Sequence, residues 1–599
     1  MVKFANLARK LHKLRRLQRD RGWGATVDFL QARLYRQLGQ DWAYRRWYAR
    51  QRWRPEAIAA ARVEVATWAY CPTISILTPV YNIAPRWLER AIASVQAQVY
   101  PHWQLCLADD ASPDPAVRAV LARYAAADPR LQVVYRDRNG GISAASNAAL
   151  ALATGDFIAL LDHDDELAPQ ALYAIVRLLQ AHPEADFIYS DEDRINERGR
   201  HYGPSFKPDW SPDYLHSQMY TCHLGVYRTA LVRSLGGFRS EYDGPQDYDL
   251  VLRLTEKTAH IYHVPQVLYH WRSLPSSTAA SVAAKPWSFE RGQGALAAML
   301  ARAGDRGRVE TTEFPGVFRV RRELQGQPLV SIVIPSAGKT GPVGNQTVCL
   351  LERCLASIQT RSTYRQFELL VVDGYDIPEP TLARLGDAVR LVRDRQPFNF
   401  SRRINLGVAQ AQGEMVLLLN DDTEVLTPDW LEALLEVAQG PAVGAVGAKL
   451  RFPDGKIQHA GVVIVDGLHP MHAFYGFPGA HPGYGCSNVA TRNYLAVTGA
   501  CLMIRRALYQ QLGGLDEAFP LNYNDVDLCL KAHQAGYRNV LVPYAELSHW
   551  GSASRQDNQV APAERDRLRA KWGDYWQQLG GFDPYYNPNF NQESPNFEL

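Results

Sequence analysis

The feature that most constrains this chain is a stretch that occurs twice: an apolar run that ends in adjacent carboxylates. Phe157–Leu161 runs into Asp162, His163, Asp164 and Asp165, and Met415–Leu419 runs into Asn420, Asp421 and Asp422. Five apolar residues in a row read as a strand buried on both faces, of the kind that helix-flanked parallel sheets contain. Acids crowded at its end repel one another unless a cation, a hydrogen-bond network or open solvent relieves them. In an open α/β sheet the carboxyl ends of the strands are where ligands bind. The expected occupant is a divalent cation carrying an anionic ligand.

Each copy closes a longer series. Ile74–Pro79 reads as a strand stopped by proline, Leu105–Ala108 as a second that ends in Asp109 and Asp110, and Leu131–Tyr135 as a third, with helical stretches between. The series restarts at Val330–Pro335. Ile74 to Asp162 is 88 residues and Ser331 to Asn420 is 89; Asn147 to Asp162 and Asn405 to Asn420 are both 15; Asp247 to His270 is 23 and Asp525 to His549 is 24. Agreement at three separations marks a tandem repeat. Strands alternating with helices give each half an α/β fold with a mostly parallel sheet. At 599 residues the chain exceeds what one core supports. The divisions expected are a basic helical extension over 1–72, a first domain over 73–285, a linker over 286–328, a second domain over 329–556 and a tail over 557–599.

Charge is concentrated at one end. Residues 1–54 hold fifteen Lys/Arg against three Asp, a net +12 in a chain whose total is +3. Phe4, Leu7, Leu11 and Leu14 fall at helical spacing among Lys10, Lys13, Arg15 and Arg16, and Trp23, Trp42, Trp47 and Trp53 follow. One reading is a helical extension packed on the body with a solvated basic face. The other is peripheral docking of residues 1–54 to the anionic inner face of the cytoplasmic membrane, at about 1 kcal/mol per cation. No nucleic-acid recognition motif accompanies the charge, so nucleic acid is not an expected partner. No apolar run approaches the roughly 18 residues that span a bilayer, and no apolar segment of a secretory signal follows the basic residues. Eight cysteines without a C-x-x-C pair point to a reducing cytoplasm rather than to zinc or disulfides.

The ordered motifs resemble the family 2 glycosyltransferases of the GT-A fold, inverting enzymes that build bacterial polysaccharides. The resemblance covers about 73–285 and 329–556. It rests on Thr78-Pro79-Val80-Tyr81-Asn82, Asp109-Asp110-Ala111-Ser112, Asn139-Gly140-Gly141, the Asp162–Asp165 cluster, Gln246-Asp247-Tyr248-Asp249-Leu250 and His270-Trp271-Arg272 in the first half. In the second it rests on Pro335, Asp373, Asn405, Asn420-Asp421-Asp422, Asn524-Asp525-Val526-Asp527-Leu528 and His549. The tandem arrangement is similar to that of O-antigen and capsule transferases. It implies two tandem GT-A domains, a nucleotide-sugar donor linked to UDP or dTDP, and a glycan or lipid-linked acceptor. Rival readings are one active half with a scaffold half, a glycan-binding module that has lost the chemistry, and a nucleotidyltransferase.

Transfer from a nucleotide sugar expels a diphosphate, whose charge Mg²⁺ or Mn²⁺ held by carboxylates can stabilise. Asp164 and Asp165, beside Asp162, are the candidate ligands in the first half, and Asp421 and Asp422 in the second. A single Asp in either cluster could instead cap the turn that follows. By the resemblance, Asp247 and Asp525 are the bases that take the acceptor proton, although the acid that precedes such a base is here Gln246 or Asn524. His270 and His549 are placed as late metal or diphosphate ligands, and Arg272 as a diphosphate contact. Pro79, Tyr81, Asp109, Asp110, Asn147 and Asp162, with Pro335, Asp373 and Asn405, are expected around the nucleotide sugar. Arg402 is either a phosphate contact or an ordinary cationic surface. His459, His469, His472 and His481 lack regular ligand spacing and sit in a Gly/Pro-rich loop, read as a lid over the acceptor site.

Overall fold

The computed structural model describes residues 41–274, 286–343, 346–465, 467–551 and 560–599. They fall into two compact units, one of residues up to Trp210 with Met219–Arg302, the other of Ser211–Gln218 with Ala303–Phe597.

The first unit is built on a nine-stranded mixed sheet. From one edge its strands are Leu131–Tyr135, Trp103–Asp109, Ile74–Val80, Phe157–Leu160, Gly225–Arg228, Phe187–Ile195, Ile261–Arg272 and Glu166–Leu167, with His201–Ser205 beside Phe187–Ile195. The first four are parallel, with Ile74 opposite both Trp103 and Phe157. Successive strands are laid down outward from Ile74–Val80 in both directions, so a crevice opens over the carboxyl ends of this strand and Phe157–Leu160. Phe157, Ile158 and Ala159 are wholly buried, as the apolar run predicts. Helices Pro85–Gln96 and Ala171–Ala181 cover one face through Leu88, Ile92, Leu172 and Ile175. Helix Ile142–Leu152 packs against Ile74–Val80.

The second unit repeats this order in a ten-stranded sheet: Val389–Arg393, Phe367–Asp373, Val330–Ser336, Met415–Leu419, Cys501–Arg505, Val443–Arg451, Arg538–His549 and Thr423–Val425. Val330 lies opposite both Phe367 and Met415, as Ile74 does opposite its two neighbours. The tandem α/β architecture is therefore present strand for strand.

Three stretches depart from their expected character. Residues 286–328, read as a linker, hold the helix Pro286–Ala303 and a hairpin of Gly307–Thr311 with Phe318–Arg322. Arg319 and Arg321 of that hairpin pair with Asp429 and Glu436, which explains why a structured strand looked like a polar connector. Residues 557–599, read as a tail, hold the helix Pro562–Gln578, which buries Leu568, Trp572 and Trp576 in the core of the second unit. Within the N-terminal extension, the helices over 41–51 and Pro55–Val65 lie on the first unit. Trp47 meets Phe206 at 5.1 Å and Trp53 meets Tyr173 at 5.2 Å between ring centroids, whereas Trp42 stays 61% exposed. The expected basic helix of Phe4 to Arg16, and Trp23, lie outside the described residues. No helix among the described residues is long and apolar enough to cross a membrane.

Trp430 shows how the second core is held. Its ring is fully buried at the start of the helix Trp430–Ala438, which packs on Arg538–His549 and Val443–Arg451, and its Nε1–H donates to Ser362 Oγ at 2.9 Å. Replacing it with alanine leaves a cavity and an unmade hydrogen bond. The expected cost is about 3–5 kcal/mol, read as a lowered denaturant midpoint in the far-ultraviolet dichroism of Trp430→Ala.

Candidate active sites

In the second unit the strand-end acids open into a cleft of about 1290 Å³. Asn420, Asp421, Asp422, Asp525, His472 and His549 line it together. Asp421 Oδ2 accepts from Ser336 Oγ at 2.5 Å. Burial pushes its carboxyl up to about 6, against the pull of that hydroxyl and with Asp422 adding to the rise. Asp422 Oδ1 lies 2.9 Å from His549 Nε2, while Gln458 Oε1 lies 2.7 Å from His549 Nδ1 and fixes the ring. Asp525 begins the helix Asn524–Gln534; its two oxygens accept from the Gly499 amide at 2.7 Å and the Val526 amide at 2.8 Å. The carboxylate is thus aimed by backbone donors at a helix N-terminus, where the dipole favours negative charge.

His472 and His459, set aside in the sequence for want of ligand spacing, adjoin this site. Their Nδ1 atoms are 2.9 Å apart, so one donates and the other accepts. Burial holds both below the ordinary histidine range, and Asp525 is the charge that most opposes this at His472. His469 also lines the cleft, whereas His481 contacts Phe474 and Phe477.

In the first unit a turn closed by the Asp165 amide on the Asp162 carbonyl sorts the acids. Asp162 and Asp164 keep partial exposure. Burial raises the Asp164 carboxyl, and Asp162 raises it further against His163. Asp247, in the first turn of helix Gln246–Thr255, is raised by burial and by Asp162 and is held down chiefly by His223. Asp162, Asp247 and His223 therefore share one electrostatic neighbourhood. The ring of His223 stacks on Tyr269 at 4.4 Å and meets Trp271 edge-on at 5.9 Å. A lone histidine before a strand carries no motif, which is why sequence reasoning passed over His223.

Asp165 does not join this group. It is wholly buried, with Oδ2 accepting from Tyr269 Oη at 2.5 Å and Oδ1 from the Arg272 amide at 2.6 Å. His270 is also a correction. Leu167 pairs with Tyr269 and Glu166 with His270, whereas Val425 pairs with Leu547, Glu424 with Ser548 and Thr423 with His549. Matched this way, His270 corresponds to Ser548 and Trp271 to His549. The spacing of 23 against 24 residues hides a one-residue slip, and one residue along a strand reverses the face a side chain occupies.

His270 accordingly lies with Asp193 and His201, whose ligand-type atoms fall within 4.8 Å of one another. Asp193 Oδ1 is 2.6 Å from His270 Nδ1, and Oδ2 is 2.8 Å from His201 Nδ1 and accepts from Tyr44 Oη at 2.6 Å. Tyr48 Oη lies 3.1 Å from His270 Nε2. This cluster ties the helix over 41–51 to the sheet. Arg272 is equally committed: its side chain is fully buried, Nε donates to the Asp164 carbonyl at 2.8 Å and the guanidinium also meets Glu166. It braces the acidic turn from behind rather than facing a diphosphate.

The expected nucleotide contacts divide. Asn147 Oδ1 accepts from the Phe238 amide at 2.8 Å and Nδ2 donates to its carbonyl at 2.7 Å; Asn405 grips Leu515 in the same way at 3.0 and 2.9 Å. Their identical spacing reflects a loop clamp, not a ligand contact. Asp110 accepts from the amides of Gly140 and Gly141 and pairs with Arg136. Gly141 has φ +87°, and a Cβ there would meet Asp243, so glycine is required. Asp109 accepts from the Ser112 amide and Arg118, and Asp373 from the Asp376 and Ile377 amides and Arg393. Tyr81 is 47% exposed, and the Pro79 carbonyl is 2.9 Å from His163 Nδ1. Pro335 lines the second cleft. Arg402 pairs with Asp394, and its neighbour Arg403 lines the cleft instead.

Comparison with known proteins finds the family described as Glycosyl transferase family 2 over residues 75–236 and that described as Glycosyltransferase like family 2 over 328–574. The chain is 46% identical to y4gI of Sinorhizobium fredii over 88% of its own length and 58% of that protein. It is 36% identical to the O-antigen biosynthesis protein RfbC of Myxococcus xanthus over 89% of its own length and 42% of that protein. It thus spans about half of each. An L-rhamnosyltransferase of Mycobacterium tuberculosis, N-acetylglucosaminyl-diphospho-decaprenol L-rhamnosyltransferase, is 30% identical over 33% of this chain and 71% of its own.

The raised Asp421 carboxyl yields a signed expectation. Between pH 4 and 6 the folded protein holds a proton that the unfolded chain has released, so this group's contribution to stability falls as pH rises through that window. Above it, the buried charge costs about 3 kcal/mol, the equivalent of a rise from 3.8 to about 6. With chelator present, Asp421→Asn is expected to unfold at a higher temperature than the parent at pH 8 and to show no advantage at pH 4, by differential scanning calorimetry.

Proposed function

The chain belongs to glycosyltransferase family 2, and from that premise we propose that each half transfers one sugar, with inversion, from a UDP- or dTDP-linked donor to a hydroxyl of a growing surface polysaccharide or lipid-linked glycan. The observation that carries this reading is the second cleft, where acids of a strand end, an imidazole and a helix-borne aspartate converge. The name of RfbC supports an O-antigen-like product. The +12 charge of residues 1–54 supports work at the cytoplasmic face of an anionic membrane.

The donor sets suit a divalent cation. Asp421, Asp422 and His549 offer oxygen and nitrogen ligands around a buried carboxylate that Asp422 pushes up and His549 only partly offsets, which fits Mn²⁺ or Mg²⁺. In the first unit Asp164, with Asp162 beside it, is the corresponding holder. When bound, the cation neutralises charge that develops on the departing diphosphate. Asp525 takes the acceptor hydroxyl proton as that oxygen bonds to the anomeric carbon, and the Gly499 and Val526 amides hold the carboxylate for the task. Asp247 does the same in the first unit.

The test is a panel of nucleotide sugars offered to the full chain with Mn²⁺ or Mg²⁺, scored for nucleoside diphosphate release and for sugar added to a lipid-linked acceptor. Asp247→Asn and Asp525→Asn are each expected to remove one of two separable additions, with kcat down by about 10²–10⁴. Activity left whole by either substitution would make that half a scaffold.

A further inference from the structure

Two successive amides hold the base end of the second cleft. The Gly499 amide donates to Asp525 Oδ2 at 2.7 Å, and the amide before it, that of Thr498, donates to His459 Nε2 at 3.4 Å. A ring nitrogen that accepts from an amide carries no hydrogen of its own, so His459 keeps its hydrogen on Nδ1. That atom lies 2.9 Å from His472 Nδ1 and donates to it. The reverse arrangement would turn an Nε2–H of His459 against the Thr498 N–H, and a doubly protonated His459 would do the same. His472 thus accepts on Nδ1, and its single hydrogen sits on Nε2.

The backbone fixes both rings independently of that relay. His459 ends the strand Ile457–His459 and lies opposite Leu450 of Val443–Arg451. His472 ends the strand His469–His472 opposite Val462, and the amide of Ala473, next in the chain, donates to the Gly461 carbonyl at 2.9 Å. Gly461 has φ +105°, and a Cβ there would meet the Tyr494 ring, so the turn between the two histidines requires glycine. His459 is wholly buried. His472 is half-buried, lines the cleft and makes no hydrogen bond beyond the one to His459 among the described residues. Its Nε2–H is a donor held ready at the cleft wall. Neighbouring residues of one short strand thus set two imidazoles for different partners. Gln458 Oε1, at His549 Nδ1, turns that ring's Nε2 to Asp422, whereas His459 leaves His472 with a hydrogen to give. Asp525 is the charge that bears most on His472, so a diphosphate seated there would be repelled and a neutral sugar oxygen would not.

We propose that His472 is an acceptor-binding residue of the second site, its Nε2–H donating to an oxygen of the acceptor sugar beside the hydroxyl that Asp525 deprotonates, and that His459 is the positioning residue that fixes this tautomer. The proposal rests on the glycosyltransferase reading of the cleft. His472 keeps its hydrogen throughout and takes no part in proton transfer, which stays with Asp525. The Thr498 and Gly499 amides place the two groups in register, one through His459 and one directly, so that the hydroxyl and its neighbouring oxygen are gripped from the same short segment.

Two measurements on the full chain test this. In ¹⁵N-histidine spectra at pH 7, with the rings assigned through His459→Gln and His472→Gln, His459 is expected to carry its hydrogen on Nδ1 and His472 on Nε2. A hydrogen on His472 Nδ1 overturns the proposal. The second measurement silences the first site with Asp247→Asn and offers the panel of UDP- and dTDP-sugars with methyl hexopyranosides and methyl deoxyhexopyranosides as acceptor probes. His472→Ala and His459→Leu are each expected to raise the KM of the probe about tenfold, the worth of one neutral hydrogen bond, with donor KM held. His459→Gln, whose amide offers an acceptor and a donor at matching places, is expected to restore the parent value. An unmoved probe KM, or a loss in His459→Leu that His459→Gln does not restore, overturns the proposal. The tautomers are read without turnover: the wrong tautomer in a chain that transfers sugar sinks this inference alone, whereas no transfer to any probe sinks it together with the reading beneath it.

Discussion

Negative charge gathered at the carboxyl ends of two parallel strands, in a crevice that water only partly reaches, governs the rest of each unit. Burial pushes Asp164, Asp247 and Asp421 above the ordinary carboxylate range. A protein that keeps such groups accepts a loss of stability in the ligand-free state, because each ionised carboxylate has surrendered solvation without a full counter-charge. What makes the loss tolerable is the scaffold behind: Asp165, sealed by Tyr269 and the Arg272 amide, and Arg272, braced on the Asp164 carbonyl and Glu166. The turn is held rigid from the core side so that its other acids can face the crevice.

The two halves meet this requirement with different parts. The second draws an imidazole from the last strand, His549, and two more from the short strands Ile457–His459 and His469–His472. The first has Trp271 where His549 stands and supplies its imidazole from the start of Gly225–Arg228. The repeats therefore share a frame of strands while the polar groups set into it have drifted apart. Pocket contacts of this kind decide which substrates a site accepts.

The frame was legible because its signals are local. Apolar runs ending in acids, and their recurrence at matched spacing, need nothing but the order of residues. Side-chain direction at the end of a long strand is another matter. Ile261–Arg272 is aligned with its neighbour Phe187–Ile195 through two register shifts, so spacing from Asp247 cannot say which face His270 takes. Nor does a shared spacing reveal its cause. Asn147 and Asn405 match because both clamp the loop beyond the antiparallel strand, a structural duty that repeats as faithfully as a ligand contact would. His223 was invisible for the opposite reason, having no counterpart in the second half.

The helix Pro562–Gln578 lies beyond the last strand and looked dispensable, yet it grips the segment that carries Asp525. Trp572 Nε1 donates to Asp527 Oδ1 at 2.9 Å, and Glu564 accepts from the amides of Leu521 and Asn522 just ahead of Asn524. The orientation of the second unit's aspartate is thus secured by a piece of chain far downstream of the sheet. Anyone dissecting this polypeptide into separate halves would need to carry that buttress along, since a cut after the final strand would preserve the Asp525 side chain and still unseat it.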